Sequence, residues 1–276
     1  MQINQKPNGD IFISQKVYTE KILQRFKLEN SKAVSTPCDV AKSQEGDVVM
    51  TDVPYREAVG CLQYLAVATR PDIAFAVALV SRALCSPTKD DWKNVKRIYR
   101  YLRGTSNFGL LYKSHVQTVF TVFSDADHAG DEKTRRSTSG MVSINSSAAI
   151  TWWSRLQHSV AISSTEAEYV AASEAANEVV WLKLLFNELI EYEGTPTMFV
   201  DNQSAIKLAQ NPQHHRRSKH IDVRYHSIRE KVERGVLKLE YIPSSEQIAD
   251  ILTKPLAKTL FTNLRDGLGL DKFEFG

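Results

Sequence analysis

The sequence is poor in cysteine, with three among its 276 residues. Cys38, Cys61 and Cys85 are odd in number and lack the paired spacing of a zinc ribbon. This pattern excludes a disulfide framework and a zinc ribbon, and it favours a reducing compartment.

The sequence also lacks a long apolar run. Its longest apolar stretch, residues 73–84, is interrupted by Ser81 and Arg82. It is therefore shorter than the roughly 20 residues of a membrane-spanning helix. The N-terminal segment MQINQKPNGD is polar and contains no signal-peptide core. We therefore expect a soluble protein that is neither secreted nor bound to a membrane.

Positive and negative charges nearly balance in the sequence, and the formal net charge is +3. Hydrophobic residues make up 42% and charged residues 24%, a balance typical of globular proteins and not of disordered ones. Lysines and arginines are nevertheless concentrated in residues 89–113 and 207–229. Such stretches suit a polyanionic partner, although each is equally well explained as the solvated face of a helix.

The chain length predicts two domains, since a domain usually has roughly 100–200 residues. Residues 1–115 are predicted to form a hairpin with an Asn8-Gly9 turn, followed by a helical cluster. The predicted helices are one around residues 18–26, one over 55–68, one after Arg70-Pro71-Asp72, and one from Thr88 to Gly104. The polar residues 29–53 are predicted to be an exposed connection.

Residues 116–276 have a different pattern, which predicts an α/β domain with the element order βββ-α-β-α-α-β-α. The predicted strands are residues 118–127, 140–144, 149–153, 198–201 and 236–242. The predicted helices are residues 164–190, one from Ser204, one over 220–235, and one opened by Ser244. Three meandering strands followed by helix-separated strands predict a mixed sheet flanked by helices.

Two of the predicted strands end in acidic residues, Asp125 and Asp201. Functional groups often gather where the strands of mixed sheets end, because a rigid backbone can hold charges that would otherwise repel one another. Either acid is also explained as a turn residue or a helix cap. Asp127 lies on the same side of its strand as Asp125 and is the alternative to it.

The long predicted helix contributes a third acid, Glu168. On a helical wheel it shares a face with small and apolar residues, namely Ala171, Ala175, Val179 and Leu182. This face is predicted to lie against the sheet, where a carboxylate is costly to bury unless a cation or hydrogen-bond donors meet it. Glu166 is predicted to point largely towards solvent, so Glu168 is the preferred candidate.

Asp250 is the fourth candidate, one to two turns into a predicted helix that Ser244 or Ser245 would cap. Taken alone, it is better explained as an exposed helix acid. Four converging carboxylates repel one another unless divalent cations neutralise them, and an all-oxygen site suits Mg²⁺ or Mn²⁺. Two such ions about 4 Å apart can activate a water molecule and stabilise the leaving oxygen of a phosphodiester displacement.

Five segments between residues 124 and 256 carry a family resemblance: SDADHAGD, STEAEYVAAS, VDNQSAIKLA, KHIDVRYHSIRE and QIADILTKPL. In this order they resemble the ribonuclease H domain of copia-type LTR retrotransposon Pol polyproteins. The upstream segments YREAVGCLQYLAVATRPDIAFAV and KRIYRYLRGTSNFGLLY resemble the end of the reverse transcriptase of that family and its connection to the nuclease. The resemblance covers nearly the whole chain.

The resemblance implies a ribonuclease H-like fold with a five-stranded mixed sheet, and cleavage of the RNA strand of an RNA–DNA hybrid with two Mg²⁺ ions. By motif, Asp125 matches the first-strand aspartate and Glu168 the first-helix glutamate of the family. Asp201 matches the fourth-strand aspartate and Asp250 the last-helix aspartate. The resemblance also implies the palm and fingers of the reverse transcriptase as partners, and a cytoplasmic (virus-like particle) or nuclear location.

The sequence departs from the family pattern in two places. His128 stands where copia-type sequences commonly have tryptophan, and we do not interpret it as a ligand. No histidine matches the one that precedes the last aspartate in many cellular ribonucleases H, and His220 or His226 is a candidate substitute as proton shuttle. Lys219, His220 and Arg224 are instead predicted to contact phosphates or to support the local structure.

The sequence contains no Tyr-x-Asp-Asp turn of a polymerase palm. We therefore expect a fragment of a Pol polyprotein whose catalytic potential lies in residues 116–276. A catalytically inactive nucleic-acid-binding remnant of the same polyprotein is the alternative. An integrase-like transposase shares the sheet, but its last acid is a glutamate on a late helix, whereas Glu168 lies on the first.

Overall fold

The computed structural model describes residues 1–40, 49–116, 120–190, 194–210 and 227–272. Contacts between Cα atoms divide the chain into two compact units. The first unit comprises Met1–Val116, Ser147–Ala149 and Pro255–Gly276. The second unit comprises Gln117–Ser146 and Ile150–Lys254.

The described residues form strands and helices that are numbered here in chain order. The strands are β1 (Gln2–Gln5), β2 (Ile11–Ser14), β3 (Phe108–Tyr112), β4 (Thr121–Asp127), β5 (Thr138–Asn145), β6 (Ala148–Leu156), β7 (Thr197–Val200), β8 (Lys238–Tyr241) and β9 (Leu270–Lys272). The helices are α1 (Lys16–Arg25), α2 (Tyr55–Ala68), α3 (Ala74–Ser81), α4 (Lys89–Gly104), α5 (Ser164–Ile190), α6 (Gln203–Gln210), α7 (residues 227–233) and α8 (Lys258–Gly267).

The first unit contains an antiparallel sheet with the strand order β1-β2-β3-β9. The predicted N-terminal hairpin is confirmed, and Gly9 supplies a positive φ of 89° at its turn. Strands β3 and β9 were not expected from the sequence. Both are short, and each is a strand because it pairs with residues that are distant along the chain.

The helices predicted for the first unit are confirmed, and α4 shows why its start was predictable. The side chain of Thr88 accepts a hydrogen bond from Asp91 N at 3.2 Å, and Asp91 Oδ2 accepts one from Thr88 N at 2.8 Å. This reciprocal capping box satisfies amide groups that the first helical turn leaves unpaired. The helix ends at Gly104, as predicted.

The basic face of α4 binds another segment of the first unit. Arg100 Nε donates to the Lys32 carbonyl at 2.8 Å, and Arg97 Nη1 pairs with Asp39 Oδ2 at 2.9 Å. The sequence left open whether this face grips a nucleic acid or is simply solvated. For these two arginines the structure shows a third role, which is to hold the connection of residues 29–40 against the helix.

A buried ion pair lies in the first unit, between α2 and α3. Arg70 Nη2 and Asp72 Oδ2 are 2.8 Å apart, and their side chains are 2% and 0% exposed. Arg70 Nη1 also donates to the Thr105 carbonyl at 2.9 Å, and the Tyr101 hydroxyl donates to Asp72 Oδ2 at 2.6 Å. These hydrogen bonds compensate for the removal of both charges from water.

The second unit contains a five-stranded sheet with the order β6-β5-β4-β7-β8. Strand β4 pairs antiparallel with β5 and parallel with β7, and β7 pairs parallel with β8. This mixed sheet, with β4 at its centre and helices on its faces, is the ribonuclease H-like fold that the resemblance implies. The strands predicted for it are confirmed, with ends that shift by a few residues.

The long helix α5 packs its small side chains against the sheet of the second unit. Ala171, Ala175 and Val179 are 0% exposed, as the helical wheel predicts. Ala175 and Val179 share a core with Val122 of β4 and Met198 of β7, whereas Ala171 packs with Ala126 of β4. Because alanine side chains allow the helix to approach the sheet closely, residues near the start of α5 come within reach of β4.

The prediction of an α-helix from Ser244 is wrong. Residues Ser244–Glu246 and Ile248–Leu252 form two 3₁₀ turns, and an α-helix begins only at Lys258. Gln247 separates the turns in an extended conformation, with φ −70° and ψ 96°. Its side chain is fully buried and bonded to β4, which stabilises a path that a regular helix could not follow.

The predicted second domain, residues 116–276, differs from the second unit at Ser147–Ala149 and at its C-terminal end. Pro255–Gly276 groups with the first unit because β9 pairs with β3, in a register that places Leu270 opposite Leu110. Such long-range pairing leaves little trace in local sequence patterns.

The helix predicted over residues 220–235 is described only from residue 227, where residues 227–233 are helical. Its first residues lie outside the described part of the chain. Among the described helices, none is both long enough and apolar enough to cross a membrane.

Candidate functional site

Asp125 lies within β4, at the centre of the second-unit sheet, and is 1% exposed. Its partner across the sheet is Gly140 of β5. A Cβ atom on Gly140 would lie 2.7 Å from Thr253 Cγ2 and 2.8 Å from Leu252 Cβ, so a larger residue would push this turn away. With glycine there, Thr253 Oγ1 reaches Asp125 and donates a hydrogen bond to its Oδ2.

Asp201 follows β7, whose parallel pairing with β4 places Phe199 beside Phe123. Asp125 and Asp201 each lie two residues beyond this pair, so the register brings them to the same end of neighbouring strands. Ser244 Oγ donates to Asp201 Oδ2 at 2.7 Å. The serine that was predicted to cap a helix therefore orients this carboxylate instead.

Glu168 lies near the start of α5 and is 6% exposed. Its Oε1 accepts a hydrogen bond from Ala126 N at 3.3 Å, whereas its buried Oε2 has no hydrogen-bond donor among the described residues. Burial, and then the charges of Asp125 and Asp201, raise the pKa of Glu168 well above its usual value. A bound cation would satisfy the unpaired oxygen and favour the ionised form.

Asp250 lies in the 3₁₀ turn Ile248–Leu252 and is 3% exposed. Gln247 positions this turn, because its Nε2 donates to the Ser124 carbonyl at 3.0 Å and its Oε1 accepts from Ala249 N at 3.2 Å. Burial and the charge of Asp125 raise the pKa of Asp250 to about 7, against the opposite effect of Lys254.

Three of the four predicted acids converge in the second unit, and the fourth, Glu168, lies near them. Asp125, Asp201 and Asp250 each place one carboxylate oxygen within 4.8 Å of the other two. Glu168 accepts a hydrogen bond from Ala126 N, the residue next to Asp125, and the charges of Asp125 and Asp201 contribute to the rise in its pKa. An oxygen-only donor set with an unpaired buried oxygen fits Mg²⁺ or Mn²⁺. The role of these residues as metal ligands stays a prediction.

Lys254 brings a positive charge to Asp250, Asp125 and Asp201, and it was not among the residues predicted for the site. Its Nζ lies 2.9 Å from Asp250 Oδ1 and 4.0 Å from Asp125 Oδ2. Burial would lower the pKa of Lys254, but the charges of Asp125, Asp250 and Asp201 outweigh that effect and raise it. Like Thr253, it lies in the segment QIADILTKPL, and its position four residues after Asp250 was the available signal.

Two neighbouring acids have other roles. The Asp127 carboxylate lies against Gly130 in the turn that follows β4, and Asp127 is outside the group of converging acids. The prediction that Glu166 faces solvent is wrong, because Glu166 is 6% exposed. Its Oε2 accepts a hydrogen bond from Ile162 N at 2.9 Å, which stabilises the start of α5.

Of the histidines and basic residues singled out around the candidate site, only His128 lies within the described residues. His128 Nε2 hydrogen-bonds with the Ala161 carbonyl at 3.1 Å, which agrees with its interpretation as a non-ligand. Lys219, His220, Arg224 and His226 lie outside the described residues. Their roles as phosphate contacts or as a proton shuttle therefore stay predictions.

Solved structures with some likeness to the chain include ribonucleases H. The N-terminal RNase H domain of rv2228c from Mycobacterium tuberculosis, as a maltose-binding protein fusion, has 12% identity and a TM-score of 0.37, over 54% of this chain and 98% of that one. LC11-RNase H1 in complex with RNA/DNA hybrid has 15% identity and a TM-score of 0.38, over 49% and 93%. Because both TM-scores are below 0.5, the fold is identified from the strand order of the sheet and not from these superpositions.

Relatives in sequence are retrotransposon proteins. The retrovirus-related Pol polyprotein from transposon TNT 1-94 of Nicotiana tabacum is 41% identical over 279 residues, covering 97% of this chain and 21% of that protein. The one from transposon RE2 of Arabidopsis thaliana is 37% identical over 270 residues, covering 96% and 18%. The chain thus spans about a fifth of the length of these relatives. No protein-family model matches it. The alignments, which cover nearly the whole chain, show that it belongs to the retrovirus-related Pol polyproteins of copia-type transposons.

Proposed function

We propose that this chain is the ribonuclease H part of a retroelement Pol polyprotein and that it cleaves the RNA strand of RNA–DNA hybrids with bound divalent ions. One structural observation is the main support for this proposal. Three carboxylates from β4, the end of β7 and a 3₁₀ turn converge, and Glu168 of α5, which hydrogen-bonds Ala126 of β4, keeps an unpaired oxygen near them. Placing four acids together without a cation is unfavourable, so this arrangement points to a function that requires it.

The metal ligands in this proposal are Asp125, Glu168, Asp201 and Asp250. Their oxygen-only donor set supports Mg²⁺, with Mn²⁺ as a substitute, and two ions match the number of carboxylates. When bound, such ions supply an activated water and stabilise the leaving oxygen of an in-line phosphodiester displacement.

The protein itself supplies a preorganised set of carboxylates. Asp125 is fixed by the central strand and by the hydroxyl of Thr253, and Asp201 is fixed by the parallel register of β7 and by Ser244. Glu168 is oriented by the backbone amide of Ala126. Because these groups are already in place, little reorganisation is needed at the moment of reaction.

The proposed substrate and partners follow from family membership. A Pol polyprotein that copies RNA into DNA produces RNA–DNA hybrids, so we propose such a hybrid as the substrate. The palm and fingers of the reverse transcriptase would present it, and the proposed location is the cytoplasm, within virus-like particles, or the nucleus.

The proposal is tested with the purified full chain, a labelled RNA–DNA hybrid and Mg²⁺. Wild type is expected to cut the RNA strand and to leave 3′-hydroxyl and 5′-phosphate ends. Asp125→Asn is expected to lower the cleavage rate at least about 100-fold, because a metal ligand is lost. Asp127→Asn, a matched change two residues along the same strand, is expected to keep most of the activity.

Several outcomes would contradict the proposal. Equal cleavage by wild type and Asp125→Asn would remove the assigned metal role. Loss of cleavage in Asp127→Asn, with Asp125→Asn still active, would transfer that role to Asp127. Hybrid binding that weakens with salt, but without any cleavage, would show instead that the chain is a non-catalytic binding remnant.

A further inference from the structure

The last part of the second unit, residues 244–254, supplies more than the ligand Asp250. Ser244 donates to Asp201, Thr253 donates to Asp125, and Lys254 pairs with Asp250. Three of the four acids are thus contacted by side chains from one short segment. Among these contacts, only that of Lys254 brings a full positive charge.

The position of Lys254 is that of a counter-ion. Its Nζ is 2.9 Å from Asp250 Oδ1 and 4.0 Å from Asp125 Oδ2, and these two residues belong to the group whose oxygens lie within 4.8 Å of one another. The side chains of Asp125 and Asp250 are 2% and 4% exposed, so water screens their repulsion poorly. A cation at this place therefore lowers the electrostatic cost of holding the two carboxylates together.

A bound metal ion would meet the same two carboxylates. Both the ammonium group and a divalent ion are attracted by them, and the two cations repel each other at such short range. The side chain of Lys254 is 35% exposed. Because this side chain reaches solvent, its ammonium group can move outwards when another cation binds to the carboxylates.

We propose that Lys254 is a positioning residue that acts as the resident counter-ion of the acids in the metal-free protein and competes there with divalent ions. This inference rests on the proposed function, because it concerns the same acids. It assigns Lys254 two opposite effects. Lys254 stabilises the metal-free arrangement, and it weakens the binding of Mg²⁺.

The test compares three variants of the full chain by Mg²⁺ titration in a calorimeter and by thermal unfolding without metal. Lys254→Gln removes the charge, Lys254→Arg keeps it, and Lys238→Gln removes the charge of an exposed lysine on β8 as the matched control. Lys254→Gln is expected to bind Mg²⁺ about fivefold more tightly than wild type and to melt at a lower temperature without metal. The other two variants are expected to resemble wild type in both measurements.

The outcomes separate this inference from the proposed function. If wild type binds Mg²⁺ and Lys254→Gln binds it equally or more weakly, competition by Lys254 is disproved while the metal site stands. If wild type does not bind Mg²⁺ at all, both the metal site and the competition are disproved. A similar gain in Mg²⁺ affinity in Lys238→Gln would show a general effect of net charge and would also overturn the inference.

A measurement on wild type covers the case in which Lys254→Gln does not fold. A lysine-acetylating reagent is applied with and without Mg²⁺, and the modification of each lysine is quantified by mass spectrometry. Release of Lys254 from its carboxylates is expected to increase its modification at least about threefold in Mg²⁺, relative to Lys238 as internal reference. An unchanged ratio under conditions where Mg²⁺ binds would contradict the proposal.

Discussion

Two buried carboxylates, Asp72 and Glu168, differ in how many of their oxygens have hydrogen-bond or ion-pair partners. Asp72 is paired with Arg70 at 2.8 Å and accepts a hydrogen bond from Tyr101. Glu168 has an amide donor for one oxygen and none among the described residues for the other. A compensated buried charge contributes to the structure, whereas an uncompensated one beside other acids indicates a site that expects a ligand.

The residue Asp72 gives a stability prediction. Asp72→Asn leaves the guanidinium of Arg70 buried at 2% exposure without a countercharge. We expect the free energy of unfolding to fall by about 3–5 kcal/mol, as measured by urea denaturation.

Glu20→Gln is the matched control for Asp72→Asn in the same unit. Glu20 forms a surface ion pair with Lys16 at 4.0 Å, and both side chains are more than 40% exposed, at 49% and 42%. We expect a change below about 1 kcal/mol. Equal effects of the two substitutions would show that the buried pair does not contribute as described.

At the scale of elements, the site depends on how closely the 3₁₀ turn Ile248–Leu252 approaches β5. Gly140 allows this approach, because a Cβ atom there would come within 2.7–2.8 Å of Thr253 and Leu252 side-chain atoms. This 3₁₀ turn carries Asp250 and is followed directly by Thr253. A single glycine on one strand thus determines the position of a carboxylate that follows more than 100 residues later.

Gly140→Ala is therefore expected to be destabilising by about 1–3 kcal/mol, as measured by urea denaturation, and to reduce Mg²⁺ affinity, because the turn must move. Gly60→Ala in α2 is the control, since the added Cβ would have no atom within 4 Å apart from its chain neighbours and the backbone of its own helix. That change is expected to stabilise the protein by up to about 1 kcal/mol, because alanine favours helix more than glycine does. A Gly140→Ala variant as stable as wild type would contradict the packing described here.

At the scale of the whole molecule, the raised carboxyl pKa values link stability to pH. The pKa of Asp250 is about 7 in the folded state and 3.8 in the reference state, and that of Glu168 is also raised. Between these values the folded state binds more protons than the unfolded state. By linkage, these groups make the free energy of unfolding fall as the pH rises from about 4 to about 7.

The measurement is the melting temperature of the metal-free chain across this pH range. Wild type is expected to lose stability relative to Asp250→Asn as the pH rises, because asparagine does not ionise. Mg²⁺ is expected to restore stability to wild type at about pH 8, where the carboxylates are ionised and free to bind it. Parallel pH profiles for the two proteins would show that Asp250 does not titrate in this range.

Local sequence patterns were sufficient where a feature depends on near neighbours. The capping box at Thr88 and the Asn8-Gly9 turn were predictable because each involves residues a few positions apart. The inward direction of Glu168 was predictable because a helix repeats its faces at a fixed period. The motifs also identified the family, which the relatives confirm.

The tertiary structure decided what depends on residues that are distant along the chain. Glu166 is buried, the turn with Asp250 is not an α-helix, and Lys254 lies among the acids. None of these follows from local propensity, because each is set by packing and long-range hydrogen bonds, such as the one between Gln247 and β4. The sequence alone determined which acids were candidates and on which elements they lie. Only the fold decided how close they come and which neighbours balance their charge, since carboxylates repel and must be held together by the rest of the molecule.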